Sequence, residues 1–441
     1  MFRLSESTAF RRAGLSVALV ATLALVGCMP AQASDIRVRH ALFGMHDGTG
    51  SASYAEIHEG AIRLWDAGVQ WNQIETSRPT NGHHHYNWTT LDRLVTNAQA
   101  AHAQVTMVVA GTPRFYSKDQ WNLRVTRIPA YKHFVKALMN RYRSFHGSRG
   151  IAAYEVWNEA NISTFWNGSP GTMAKMTRAM YLTRNKTDKG ADVIAPPMVT
   201  RLDYQLKWLS EFYKQRVHGK AVWRYMDAVA LSLYPLPTYG RRTGVPEDSI
   251  RQLNTVKRLL HRAGVPGTKP IWNTEVNYGL TTGKNAGKPA AAITDARQAS
   301  NVMRTYLLNA ANGVKRVFWY RYDMHRLCGG CRTLGNTLLT DPDDVTQVTP
   351  AGRAYARAQE WMHGKLLAPK GHRPCPKDRH GTYRCVVKDG SDKRFIYWNP
   401  FTTARVKLPA GAHDREGVLG KKFTVQPHHW MKVTFRPVMV H

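Results

Sequence analysis

From about residue 38 onward, short β-rich apolar runs alternate with longer stretches whose apolar residues recur at intervals of three and four. The first kind predicts strands buried on both faces, and the second predicts amphipathic helices. Eight runs of the first kind can be counted, at 38–43, 61–65, 104–110, 151–157, 192–195, 228–234, 270–273 and 316–320. Helical periodicity fills the intervals, as in 91–101, 131–145, 250–263 and 296–311. Several of these stretches end at breakers: Gly147, Gly264 with Pro266, and Gly313. Spacings of roughly 25 to 45 residues suit strand, loop, helix and return loop. Alternating units of this sort build a parallel sheet, and eight of them predict an α/β fold of the (β/α)8 TIM-barrel type. No Gly-rich phosphate loop follows the first run, which argues against an open dinucleotide-binding sheet.

The pattern changes after a helix over 350–365. Pro369, Gly371, Pro374 and Pro376 punctuate a linker-like stretch. Beyond it, strand-like runs at 383–387, 395–398, 405–408 and 432–435 are separated by Asp-Gly, Asn-Pro and Pro-Ala-Gly turns. They predict a small C-terminal antiparallel, sandwich-like β domain. The expected division is an export signal over 1–33, a barrel over 34–366 and an accessory domain over 367–441, and 441 residues suffice for both cores.

The N-terminus carries Arg3, Arg11 and Arg12, then an apolar run over 13–26, then small residues. That is the layout of an export signal, and the run is too short for a stable membrane anchor. Two processing routes overlap. Ala31-Gln32-Ala33 fits an ordinary signal-peptidase site, whereas Leu25-Val26-Gly27-Cys28 is similar to a bacterial lipobox, whose cysteine is lipidated and becomes the new N-terminus. Free secretion and membrane attachment through Cys28 both stay open. Four further cysteines remain, and in an oxidising compartment local pairing of Cys328 with Cys331 and of Cys375 with Cys385 is expected, although four cysteines allow three connectivities. A redox or zinc reading of Cys328-Gly329-Gly330-Cys331 lacks a thioredoxin-like unit and a second matched pair.

The formal net charge is +32, a surface that attracts polyanions. No nucleic-acid-binding motif accompanies it, so no nucleic-acid partner is expected. Acidic polysaccharide, teichoic-acid-like polymer or an anionic cell surface fits an exported protein better; solubility or retention at the envelope is the plainer alternative.

Two glutamates each close an apolar run: Glu159 in Tyr154-Glu155-Val156-Trp157-Asn158-Glu159 and Glu275 in Pro270-Ile271-Trp272-Asn273-Thr274-Glu275. In a parallel barrel such positions face the C-terminal mouth, where these enzymes place their chemistry. Two carboxyls there are the minimum equipment for cleaving a glycosidic bond. Glu155 is the nearest competitor, because strand alternation puts Glu155, Trp157 and Glu159 on one face if the strand stays regular.

The dipeptide Asn158-Glu159 after the fourth run, with a second glutamate after the seventh, resembles the signature of the retaining glycoside hydrolases of clan A. Phe43-Gly44-Met45-His46, Arg63-Leu64-Trp65-Asp66-Ala67-Gly68-Val69, Gly111-Thr112-Pro113 and Trp157-Asn158-Glu159 together resemble glycoside hydrolase family 39 and its bacterial relatives. The small β domain is also similar to that family's. The resemblance implies Glu159 as general acid/base and Glu275 as nucleophile, with no metal or organic cofactor. It places Asn158 on the sugar hydroxyl next to the anomeric carbon, and Arg63 and Tyr234 on Glu275. The relatives include β-xylosidases, α-iduronidases and endo-acting enzymes on bacterial exopolysaccharides. Export and positive charge favour an endo-acting enzyme on an extracellular or cell-surface polysaccharide; an exo-acting β-glycosidase, xylosidase- or iduronidase-like, and a non-catalytic carbohydrate-binding or envelope protein are the alternatives. A monomer is expected.

Aromatic residues near strand ends are candidates for stacking on sugar rings: Trp65, Tyr116, Trp166, Tyr278 and Trp319. His46 and Asp47, after the first strand, are candidates for binding sugar hydroxyls. His83-His84-His85 reads as a solvated loop rather than a metal site, since consecutive side chains diverge and no partner carboxylate is apparent.

Overall fold

The computed structural model describes residues 34–48, 57–117, 119, 128–235, 244–278, 293–322, 338–341, 344 and 346–441. The export segment with Cys28, and the pair Cys328 and Cys331, lie outside the described residues.

Eight strand positions form a closed parallel barrel. They are β1 (Phe43–Met45), β2 (Ala61–Leu64), β3 (Gln104–Val108), β4 (Ala153–Glu155), β5 (Asp192–Ile194, resuming at Met198–Val199), β6 (Val229–Ser232), β7 (Ile271–Val276) and β8 (Val314–Trp319). Almost every residue in them is buried, as expected for strands covered by side chains within and helices without. β5 is interrupted at Pro196-Pro197, since proline has no N–H for a sheet ladder. Its first part pairs with β4 and its second with β6, and the ring closes there through the bridge between Ile194 and Ala228. On the other side β8 pairs with β1, Phe318 opposite Gly44. A Cβ on Gly44 would stand 2.6 Å from the Phe318 ring and 2.7 Å from the Val317 carbonyl, so this close approach needs glycine.

One long helix follows each of β2 to β8, the last three being Pro246–Arg262, Asp295–Ala311 and Pro350–Met362. Tyr306 and Tyr355, on the last two, donate their hydroxyls to the carbonyls of Gly44 and Phe43, each at 2.9 Å, and so tie β1 to the outer layer.

The first strand differs from the sequence reading. The run at 38–43 forms a short 3-10 turn over His40–Leu42, and the strand begins at Phe43. Just before it, Ile36–Arg37 joins the accessory sheet, pairing with Lys365–Leu366 (β9). The chain therefore has to turn between two sheets where apolar content alone suggested one strand. The accessory sheet continues through β10 (Tyr383–Asp389), β11 (Asp392–Trp398), β13 (Asp414–Gly417), β14 (Lys422–Thr424) and β16 (Val438–Val440). A separate two-stranded ladder pairs β12 (Ala404–Lys407) with β15 (Trp430–Val433). Its inward side chains join a second, smaller core that includes Leu408, Met431 and Val433. Cys375 and Cys385 form the expected disulfide. Residues 33–441 make one compact unit, in which Glu247 of the barrel accepts from Arg304 and from the indole of Trp398 in the accessory sheet.

Candidate active site

β4 ends at Glu155, and the following residues turn away from strand geometry. Glu159 sits in that turn with φ +35°, a left-handed conformation that costs a non-glycine residue roughly 1–2 kcal/mol. Such strain at a functional residue persists only where its surroundings enforce it. Glu155 lies deeper. Its carboxylate accepts from Arg63 Nε at 2.6 Å with both side chains fully buried, so the competitor that alternation could not exclude is an internal ion-pair partner.

Arg63, on β2, organises the floor of the site. Nη1 donates to Glu275 Oε2 at 2.9 Å, and Nη2 donates to the side-chain carbonyl of Asn158 at 2.9 Å. One guanidinium thus spans both glutamates of the floor and the asparagine. Tyr234 donates its hydroxyl to the other oxygen of Glu275 at 2.7 Å. Burial pushes Glu275 up, and Arg63 and Tyr234 pull against it. Glu159 is raised to about 8, first by burial and second by the charge of Glu275; Ser232, Arg63 and Arg201 oppose the rise. Of the two carboxyls, Glu275 has the strong donors, so the shared proton resides on Glu159. Burial also lifts Glu155 to about 7 despite Arg63.

Ser232 and Arg201 were not among the candidates read from the sequence. Alternation along β6 gives a signal for Ser232, since it shares a face with Tyr234 two residues on. A register shift between Leu231 and Ser232 sets Ser232 opposite Glu275, a bulge of the kind that re-aims side chains at barrel rims. Arg201 follows β5 by two residues and carries no comparable signal.

His46 is buried, and burial with the charge of Arg63 lowers its pKa to about 3, so the ring is neutral. Nε2 lies 3.0 Å from the Thr274 carbonyl and therefore carries the proton; its 3.2 Å contact with Arg63 is packing rather than a hydrogen bond. Nδ1 is left as an acceptor with no donor among the described residues. The ring packs edge-on against Tyr320, whose hydroxyl donates to Asp66 at 2.7 Å beside a second donor, Arg321. Asp47 is buried next to His46.

The aromatic candidates are packed inward. Trp319 is 0% exposed, with Tyr278 at 5.9 Å between ring centroids. The Tyr278 hydroxyl meets Thr305 at 3.0 Å and Ser249 at 3.3 Å, on the side of the surrounding helices. Trp65 packs edge-on against Phe165, and Trp166 against Trp157. Tyr116 donates to Glu75 at 2.9 Å. The same glutamate lies 2.6 Å from His84 Nδ1, so one histidine of 83–85 has the carboxylate partner that the sequence did not reveal. Among the described residues, no group of three His, Cys, Asp or Glu side chains could hold a metal ion.

The family model for the glycosyl hydrolase catalytic core matches residues 64–355. Among solved structures, a family 39 glycoside hydrolase from Bacteroides cellulosilyticus WH2 is 14% identical with a TM-score of 0.66, over 92% of this chain and 82% of its own. A monomeric β-xylosidase from Caulobacter crescentus CB15 is 14% identical with a TM-score of 0.64, over 93% and 97%. An α-L-arabinofuranosidase from Thermotoga maritima is 10% identical with a TM-score of 0.62, over 93% and 98%. At these identities the likeness is one of fold. No curated protein sequence matches the chain. The matched model covers strands β3 to β8 and both buried glutamates, and the chain belongs to the glycosyl hydrolase catalytic core family.

Proposed function

We propose that this glycosidase cleaves its substrate by double displacement, with Glu275 as nucleophile and Glu159 as general acid and then base. The observation that carries the reading is the unequal environment of the pair: Glu275 is held by Arg63 and Tyr234, while Glu159, raised to about 8, keeps its proton at neutral pH. Attack by Glu275 on the anomeric carbon forms a glycosyl-enzyme ester as the leaving oxygen takes the proton of Glu159. Glu275 is then uncharged, so the pKa of Glu159 falls and its carboxylate can deprotonate the incoming water. Water attacks the anomeric carbon, Glu275 leaves, and configuration is retained. Asn158 has its carbonyl committed to Arg63, which turns its amide nitrogen into a donor for the neighbouring sugar hydroxyl.

The substrate in this reading is an extracellular or cell-surface polysaccharide, anionic in character, cut internally by a monomeric enzyme. The signal-like N-terminus and the +32 charge support it. Exo action is the second reading, favoured by the fold likeness to a monomeric β-xylosidase. A depolymerisation screen over purified acidic and neutral bacterial polysaccharides, with product sizing, separates the two. Long products support endo action and monosaccharides overturn it. Glu159→Gln and Glu275→Gln should each abolish turnover while glycan binding survives; turnover that persists in either variant would sink the assignment.

A further inference from the structure

The ladder of β12 and β15 turns one apolar face inward and a different face to solvent. Met431 and Val433 go to the small core, whereas Arg405, Lys407, Trp430 and Lys432 point outward. Register sets Lys407 beside Trp430 and Arg405 beside Lys432. Trp430 is 65% exposed, the largest exposure among the big apolar side chains described. An indole left in water on a strand that buries its neighbours is not used for packing.

Arg405, Lys407 and Trp430 line a cleft of about 540 Å³, and Lys377 and Arg384 belong to its wall as well. The Cys375–Cys385 disulfide fixes that wall, since Lys377 lies two residues after one half-cystine and Arg384 immediately before the other. Among the described residues, none of Lys377, Arg384, Arg405 and Lys407 forms an ion pair with a carboxylate. The acid in the cleft, Asp378, is already engaged: one oxygen accepts the backbone N–H groups of His380 and Thr382, each at 2.9 Å. Four cations thus line the cleft with one exposed indole, against the single negative charge of Asp378; Arg384 also lies over the Phe395 ring at 5.1 Å.

We infer that this cleft binds a carboxylate-bearing polysaccharide, with Trp430 stacking on a sugar face and Lys377, Arg384, Arg405 and Lys407 pairing with its acid groups. The chemistry suits no neutral glycan, because the cations would then be desolvated without partners. It also differs from diffuse polyanion attraction, because the flat aromatic surface is specific to ring-shaped ligands. Binding here goes beyond the barrel's reaction and does not depend on it.

The test uses the full chain carrying Glu159→Gln, so that hydrolysis does not consume the ligand. Binding is measured by affinity electrophoresis in gels containing polygalacturonate, dextran or polyglutamate. The expected result is retardation by polygalacturonate and none by dextran. Trp430→Ala and Arg405→Ala/Lys407→Ala should each weaken it at least tenfold. A charge-matched control on the exposed face of a barrel helix, Lys132→Ala/Lys136→Ala, should change it less than twofold. Equal retardation by polyglutamate with no effect of Trp430→Ala would overturn the site in favour of plain charge attraction. Retardation by dextran would overturn the anionic class. Unchanged thermal unfolding of Trp430→Ala keeps these outcomes free of misfolding, and turnover by the chain with Glu159 intact reports separately on the barrel.

Discussion

Arg63 holds two buried carboxylates and Asn158 on a single guanidinium, so its loss has two separable effects. Arg63→Ala strands Glu155 and Glu275 in the interior without a cation, a defect of about 3–5 kcal/mol in urea unfolding. It also removes the group that keeps Glu275 ionised, and turnover should fall at least a hundredfold even where the variant is fully folded. The pH profile follows from the same arrangement. With Glu159 raised to about 8, kcat/KM should fall above that pH as the acid loses its proton, and fall again in acid as Glu275 gains one. Arg201 pulls the Glu159 value down, so Arg201→Ala should move the alkaline limb to higher pH and leave the acid limb near its place. An alkaline limb that stays in place would put Arg201 outside the field of Glu159. The two glutamates were legible in the sequence because each closes an apolar run. Their distinction from Glu155 was not, since it depends on the strand ending at Glu155 and on the left-handed turn at Glu159.

Most strands of the barrel were legible because burial on both faces leaves short, mainly apolar runs between longer stretches of helical periodicity. What the pattern hides is which sheet a strand joins. Ile36–Arg37 and Lys365–Leu366, read as the borders of the barrel segment, pair with each other in the accessory sheet. The split in β5 was written in Pro196-Pro197, yet only the structure shows its two halves serving different neighbours. Between the two sheets, Glu247 at the start of the Pro246–Arg262 helix is bound by Arg304 Nε at 3.0 Å and by the Trp398 indole at 2.9 Å. Arg304→Met should cost about 3–5 kcal/mol in urea unfolding by leaving Glu247 buried and unpaired. Adding Glu247→Leu should recover most of that loss, because the double variant buries no lone charge. A double variant no more stable than the single one would contradict this account of the interface.

At the scale of the whole molecule, a closed barrel holds two unequal carboxyls in its mouth, and in the C-terminal β region a two-stranded ladder displays an exposed indole at a cleft lined by cations. Export, endo action and an anionic substrate belong together as one proposal about where the enzyme meets its polymer, and the +32 charge is common to all three. None of them alters the proposed chemical step, which in that reading depends on Glu159, Glu275 and the side chains that separate their protonation. The most direct measurement of that step is proton NMR of the anomeric signal of the first-formed product, recorded from any hydrolysed glycoside before mutarotation. Double displacement predicts that this product has the anomeric configuration of the substrate; an inverted first product would contradict the assignment of Glu275 as nucleophile.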